Sequence, residues 1–228
     1  MTELSIFERM QALPLFQGLS ISHLQSILRS VKLNFRQHDP GEVIAEDGSR
    51  CDKLIFVLSG MVSATYKHPQ GHFSIEEELE APMAIDPIRL YGVRPFHDRG
   101  YRFMSDGSTF VIDKPTFVRM AADYEIFMTN FNNMACSQAQ MANQSNHFLL
   151  PRTASVEQRM IHLILPFIKT RKGRKSLVVK IQDLAEMTHT ARINLSKELN
   201  RLHQEGSVVL RRQRILFPDF ESFIHTHA

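Results

Sequence analysis

Tryptophan is absent, cysteine occurs only twice, and no apolar run is long. Each shortage closes off a class of protein. Cys51 and Cys136 lie far apart with no paired spacing, so they cannot build a four-sulfur metal or iron–sulfur cage, and they are expected as reduced thiols. The longest apolar stretches, LIFVL at 54–58 and HLILPFI at 162–168, fall well short of the roughly 20 residues that cross a bilayer. The opening MTELSIFERM has acidic residues and no basic segment followed by an apolar one, so it does not read as a secretory signal. A phosphate-cradling glycine loop and a nucleophile elbow are missing, and Glu76-Glu77-Glu78 reads as a solvated strand edge or turn rather than as paired catalytic carboxylates. These absences lead to the expectation of a cytoplasmic protein that is not an enzyme and has no membrane partner.

What is present is divided unevenly. A chain of 228 residues suits two domains better than one. Net charge is +3, but residues 1–150 hold 13 basic and 17 acidic side chains, whereas 151–228 hold 14 and 7. Basic charge concentrated in the last third suits a polyanionic partner, with a solvated basic face as the alternative.

Gly and Pro punctuate residues 35–113 between short β-rich runs such as KLIFVLSG, MVSATYK and STFVIDK, which predicts a barrel or sandwich. Helices are expected before it at 5–13 and at 20–31, the second capped by Ser20. From 116 to 148 the period changes. Phe117, Met120, Tyr124, Phe127, Phe131, Met134, Gln138, Met141, Ser145 and Phe148 keep a 3-4 spacing, which predicts one long helix. Polar Gln138 and Ser145 on this seam favour a homodimer contact through Phe117, Met120, Tyr124, Phe127, Phe131, Met134, Gln138 and Met141. Packing of the helix on its own β-domain is the alternative.

Residues 147–152 read as a hinge, and Ser155-x-x-Gln158 as a capping box opening a helix over 156–169. A basic loop, a short strand SLVVKI, a helix-turn-helix at 182–206 and a hairpin VVLRRQRILF follow. The domains expected are 1–115, 116–148 and 149–228. In the helix-turn-helix, Leu195, Leu199 and Leu202 form one buried stripe. The opposite face of a recognition helix at about 191–202 then offers Arg192, Ile193, Asn194 and Lys197 to bases in the major groove of double-stranded DNA. Thr188, Thr190, Arg201 and the hairpin's Arg211, Arg212 and Arg214 are candidates for phosphate, the hairpin arginines being open to a solvated role instead.

These residues carry a resemblance. Leu184-Ala185 followed by Arg192-Ile193-Asn194-Leu195-Ser196-Lys197-Glu198-Leu199, with PLFQGLS at 14–20 and PGEVIAEDGSRCDKLIFVLSGMVSATY at 40–66, resembles the cyclic-AMP receptor protein/FNR (Crp/Fnr) family of bacterial transcription regulators. The resemblance spans nearly the whole chain. It implies an α+β architecture: an N-terminal cyclic-nucleotide-binding-like β-barrel (jelly roll), a long dimerisation helix and a C-terminal winged helix-turn-helix. It also implies RNA polymerase as a candidate partner. Two departures stand out. His189 occupies the turn position where the family has Gly, which calls for a left-handed backbone. Ile193 stands where many relatives carry Glu, so it can offer only apolar contact, for instance to a thymine methyl.

The family's cyclic-AMP cradle is not matched. Ile85-Asp86-Pro87 stands where Gly-Glu-Leu/Ala belongs, Pro87 lacks a donor N–H, and no Arg-Ser or Arg-Ala follows. Control by cyclic AMP is not expected. Arg89, Arg94 and Arg99 are candidates for some other anion site, or are solvated loop residues. No cofactor is predicted; an unidentified effector is open, as is haem, for which His68, His72, His97 and Cys51 offer axial ligand types. The competing function is a sensor or adaptor whose helix-turn-helix binds protein instead of DNA.

Overall fold

The computed structural model of the chain describes residues 5–30, 34–147 and 153–227, without the side chains of 28, 30 and 141–147. The expected hinge at 147–152 lies, but for His147, outside the described residues.

Two helices open the chain, α1 (Ile6–Ala12) and α2 (Ile21–Ser30). A reciprocal Ser5–Glu8 capping box starts the first, and the Ser20 hydroxyl accepts the His23 N–H at the second. Eight strands follow: β1 (Asn34–His38), β2 (Val43–Ala45), β3 (Lys53–Ser59), β4 (Met61–Lys67), β5 (Phe73–Glu80), β6 (Met83–Ile85), β7 (Gly100–Phe103) and β8 (Gly107–Asp113). Then come α3 (Lys114–Asp123), α4 (Glu125–His147), α5 (Val156–Ile164), β9 (Lys175–Val179), α6 (Ile181–Met187), α7 (Arg192–Gln204), β10 (Val209–Arg211), β11 (Arg214–Phe217) and α8 (Phe220–His227).

The chain forms two compact units, and neither is continuous in sequence. One holds Met1–Val62 with Glu80–Gln140, the other Ser63–Leu79 with Met141–Ala228. In the first unit the sheet runs β1-β8-β3-β6, with Phe56 opposite Phe110 on one side and Ala84 on the other. Its core is aromatic: Phe16 meets Phe56, Phe110 and Phe127 edge-on at 5.4, 5.8 and 5.5 Å between centroids. At Gly107 a Cβ would fall 2.6 Å from the Ser59 carbonyl and 2.2 Å from Phe103, so only glycine lets β8 close on β3.

The helix expected over 116–148 is two helices. Tyr124 is extended (φ −135°, ψ 97°) and ends α3, after which α4 begins at Glu125. No Gly or Pro marks the break. Tyr124 keeps its place in the apolar stripe because its ring still packs on the core, edge-on to Phe127 at 6.1 Å. Phe117, Met120, Phe127 and Phe131 are buried in this same core, and Met134 rests against it. For the first half of the stripe the intramolecular alternative therefore holds, and these four side chains are already covered within one chain. Gln138 is half-buried on α4; the side chains of Met141 and Ser145 and all of Phe148 lie outside the described residues.

In the second unit the sheet order is β10-β11-β9-β5-β4. The hairpin β4–β5 comes from the segment expected to be barrel, yet β5 pairs with β9 over five residues, from Phe73 opposite Val179 to Glu77 opposite Lys175. Phe73 and Ile75 enter a core with Met160, Ile161, Leu184, Leu195, Leu199 and Phe217. The Ser155–Gln158 capping box is present, and α5 gives way to a 3-10 turn at Leu165–Phe167, where Pro166 cannot continue the helix. Helix α8 closes the unit with Phe220 and Phe223 against Phe217.

Glu76-Glu77-Glu78 is not a solvated acidic edge. Along β5, Phe73, Ile75, Glu77 and Leu79 alternate onto the buried face. Glu77 and Lys175 are each 1% exposed and form an ion pair at 3.5 Å. Glu77 also accepts the Lys169 N–H at 2.9 and 3.0 Å, and the Lys175 ammonium donates to the Lys172 carbonyl at 2.7 Å. Burial pulls the Lys175 pKa down, against the raising effect of Glu77, Glu78 and Asp219.

Candidate nucleic-acid interface

Helices α6 and α7 are joined by Thr188-His189-Thr190-Ala191. His189 takes the left-handed backbone its position demands, with φ +48°. Arg159 of α5 fastens the turn by donating to the carbonyls of Thr188 at 2.9 Å and His189 at 3.4 Å. Helix α7 buries Leu195, Leu199 and Leu202, which sets its other face outward. That face begins with Arg192, Ile193 (71% exposed), Asn194 and Lys197, all with exposed side chains. Arg192 shares a shallow depression with Gln182, Glu186, His189 and Thr190, so the first turns of both helices open on one surface.

The proposed phosphate contacts divide. Thr188 is 1% exposed and its hydroxyl donates to the Leu184 carbonyl at 2.7 Å, capping α6 from within; it is not placed to meet a phosphate. The Thr190 hydroxyl donates back to the Thr188 carbonyl at 3.1 Å. Arg201 is likewise corrected. Its guanidinium donates to Glu198 at 2.7 Å and to both Glu205 oxygens at 2.6 and 2.7 Å, and also reaches Glu157 on α5. Glu198 and Glu205 raise its pKa further. Arg201 thus ties α7 to α5. Arg201→Ala should lower the thermal midpoint of unfolding while the salt dependence of DNA binding stays unchanged.

On the β10–β11 wing, Arg211 and Arg212 are exposed around the turn, where Gln213 has φ +55°. Arg214 is different: it grips Glu76 of β5 through two hydrogen bonds of 2.5 and 3.1 Å. Among the described residues, Arg192, Lys197, Arg211 and Arg212 are exposed cations of the face, and the structure adds exposed Lys180 at the start of α6.

The three arginines considered for an anion site do not converge as one. Arg89 and Arg99 both bind Asp98, at 2.5 and 3.1 Å, and Arg94 is exposed. Beside them lies a cluster the sequence did not reveal. Asp86, with φ +41°, turns its carboxylate inward to accept from Tyr101 at 2.7 Å and pair with His97 at 3.1 Å, and the Cys51 thiol is directed at its carbonyl at 3.9 Å. Burial disfavours protonation of His97, but the hydrogen bonds to Asp86 and Cys51 outweigh it and hold the pKa up to about 9. No group of three His, Cys, Asp or Glu side chains among the described residues is arranged to hold a metal, and no described helix is long and apolar enough to cross a membrane.

No protein-family model and no curated protein sequence matches the chain. Solved structures do. The catabolite activator protein of Thermus thermophilus aligns over 94% of this chain and 98% of its own, with 16% identity and a TM-score of 0.50. The c-di-GMP-responsive global regulator CLP of Xanthomonas campestris aligns over 86% and 99% (12% identity, TM-score 0.49), and FixK2 of Bradyrhizobium japonicum over 87% and 98% (13%, 0.46). The chain therefore has the fold of the Crp/Fnr regulators, a cyclic-nucleotide-binding-like barrel and a long helix followed by a winged helix-turn-helix.

Proposed function

We propose that the chain is a homodimeric, sequence-specific DNA-binding regulator of transcription that is not controlled by cyclic AMP. The observation that carries this is the outward face of α7. Arg192, Ile193, Asn194 and Lys197 stand exposed on the first two turns, over a buried leucine stripe, with Arg211 and Arg212 on the adjoining wing. Arg and Asn can address guanine and adenine edges, Ile193 a thymine methyl, and the remaining cations phosphates. Dimerisation is assigned to the C-terminal half of α4, around Gln138 and Met141, since the earlier stripe is covered. In functional terms 1–115 without the β4–β5 hairpin is the sensor, α4 within 116–148 carries the dimer contact, and 149–228 with that hairpin is the reader. The insulation from cyclic AMP rests on Asp86 and Pro87: one carboxylate is spent on His97 and Tyr101, and the other residue has no N–H to give.

Selection of bound duplexes from a random pool, without effector and at two salt concentrations, tests this. A palindromic motif with half-sites about one helical turn apart is expected, with affinity falling steeply as salt rises. Failure to enrich any motif, even with cell extract added, would sink the proposal. On the selected site Arg192→Ala should cost about 1–3 kcal/mol and relax base preference at one position of each half-site.

A further inference from the structure

We infer that the β4–β5 hairpin is a second wing: its tip, residues 67–72, contacts the backbone phosphates of the same DNA duplex that α7 reads. The inference rests on the DNA-binding proposal and adds a contact surface drawn from the sensor segment.

Strand register carries it. Strand β9 runs toward Val179, whose N–H donates to the Gln213 carbonyl in the β10–β11 turn at 3.0 Å. One residue back, Val178 lies between Arg214 of β11 on one side and Ser74 of β5 on the other. Strands β5 and β11 both lead away from this end, so the 68–72 turn and the 212–213 turn project from the same edge. With neighbouring strands about 4.8 Å apart, the two tips sit roughly 10 Å from each other, with the end of β9 between them. Lys180 and the first turn of α6 emerge at that same point. Gln182 of that turn shares the depression with Arg192. The hairpin tip therefore flanks the surface assigned to DNA.

Its chemistry suits phosphate. Residues 61–75 contain no Asp or Glu, while the tip presents Lys67, Gln70 and His72, all exposed, and the half-buried His68. The acidic triplet of β5 begins further along the strand and is committed to Arg214, Lys175 and Arg174. The carboxylate that the first turn of α6 brings to this end is Asp183. The tip is also pre-shaped. The His68 N–H donates to the Phe73 carbonyl at 3.0 Å, the Gly71 N–H to the His68 carbonyl at 2.8 Å, and Gly71 holds φ +73°. The Gln70 N–H donates to Nδ1 of His68 at 3.4 Å, which leaves Nε2 as that ring's N–H donor. Stacking of His68 on Phe73 at 4.9 Å anchors the turn to the core. A turn already ordered loses little entropy on meeting a phosphate.

The test uses the full chain with exposed Cys136 changed to Ser, and the selected duplex extended a helical turn beyond each half-site. An iron chelate that cleaves nearby DNA backbone is attached at Gln70→Cys, or in a second protein at Gln213→Cys. Cleavage from both positions, at neighbouring but distinct backbone sites, is the expected result. Cleavage from Gln213→Cys alone overturns the second wing and leaves the DNA reader standing. No binding or cleavage by either protein overturns the reader itself. In parallel, Lys67→Gln with His72→Gln should weaken binding severalfold and reduce the slope of log affinity against log salt by about one, with base preference unchanged. An unaltered slope counts against the contact.

Discussion

Glu77→Gln should cost the second unit about 3–5 kcal/mol of folding stability, far more than removal of a surface carboxylate. The substitution keeps the shape of the side chain and leaves the Lys175 ammonium, 1% exposed, without the carboxylate it pairs with. A second variant separates charge from packing. Replacing both members by apolar residues, Glu77→Leu with Lys175→Met, removes the stranded charge and should recover much of the loss, short of the Lys169 N–H that Glu77 also satisfies. Denaturant titration of the full chain, followed by a probe in the winged helix, reads both. Equal destabilisation by the single and double changes would contradict the assignment. The same pair decides what happens to a fragment cut at the expected boundary, 149–228. It lacks β5, so Lys175 is buried without its partner and β9 becomes an open edge. Such a fragment should fail to fold cooperatively, whereas one joined to 63–79 has the parts it needs.

The features readable in the sequence are those whose partners lie within a turn or two of each other. The capping box read at Ser155 joins residues three apart, and it is present. The leucine stripe of α7 follows from helix geometry alone, and the left-handed His189 from the resemblance, which places it where the family has Gly. Two of the misses are local: Thr188 bonds back to the Leu184 carbonyl, and Arg201 pairs with Glu198 and Glu205 on its own helix before it also reaches Glu157. Arg214 has its partner far away, losing the phosphate role to Glu76, 138 residues earlier. The break at Tyr124 is hidden because the 3-4 spacing of buried residues survives a change of backbone direction when the residue at the break stays packed. The burial of Glu77 did leave a trace, the alternation Phe73, Ile75, Glu77, Leu79, but a triplet of acids invites reading as surface. Asp86, His97 and Tyr101 share no period at all, and only the fold gathers them.

That last cluster gives the second large expectation. His97 is 4% exposed and paired with Asp86, and its pKa of about 9 lies above the ordinary value of 6.5. A folded-state pKa above the unfolded one means that the folded chain holds the proton more tightly. The stabilisation is complete below pH 6.5, declines between the two values and is gone once pH passes through about 9. At about 1.4 kcal/mol per unit, the span corresponds to roughly 3 kcal/mol. Burial and the Asp86 carboxylate push the Tyr101 hydroxyl well above its usual range, so below pH 9 it adds no titration of its own. Other histidines contribute to any pH profile, and the quantity to measure is the difference between the native chain and His97→Gln. That difference should shrink as pH rises from 6 to 9.5. Asp86→Asn should remove the pH dependence assigned to His97 and lower stability at pH 7 by about 2–4 kcal/mol, because an imidazolium at this depth cannot persist without the carboxylate. A native-minus-variant difference that stays flat across this range would show that the His97 ring is neutral, held by hydrogen bonds to Asp86 and Cys51 without an ion pair.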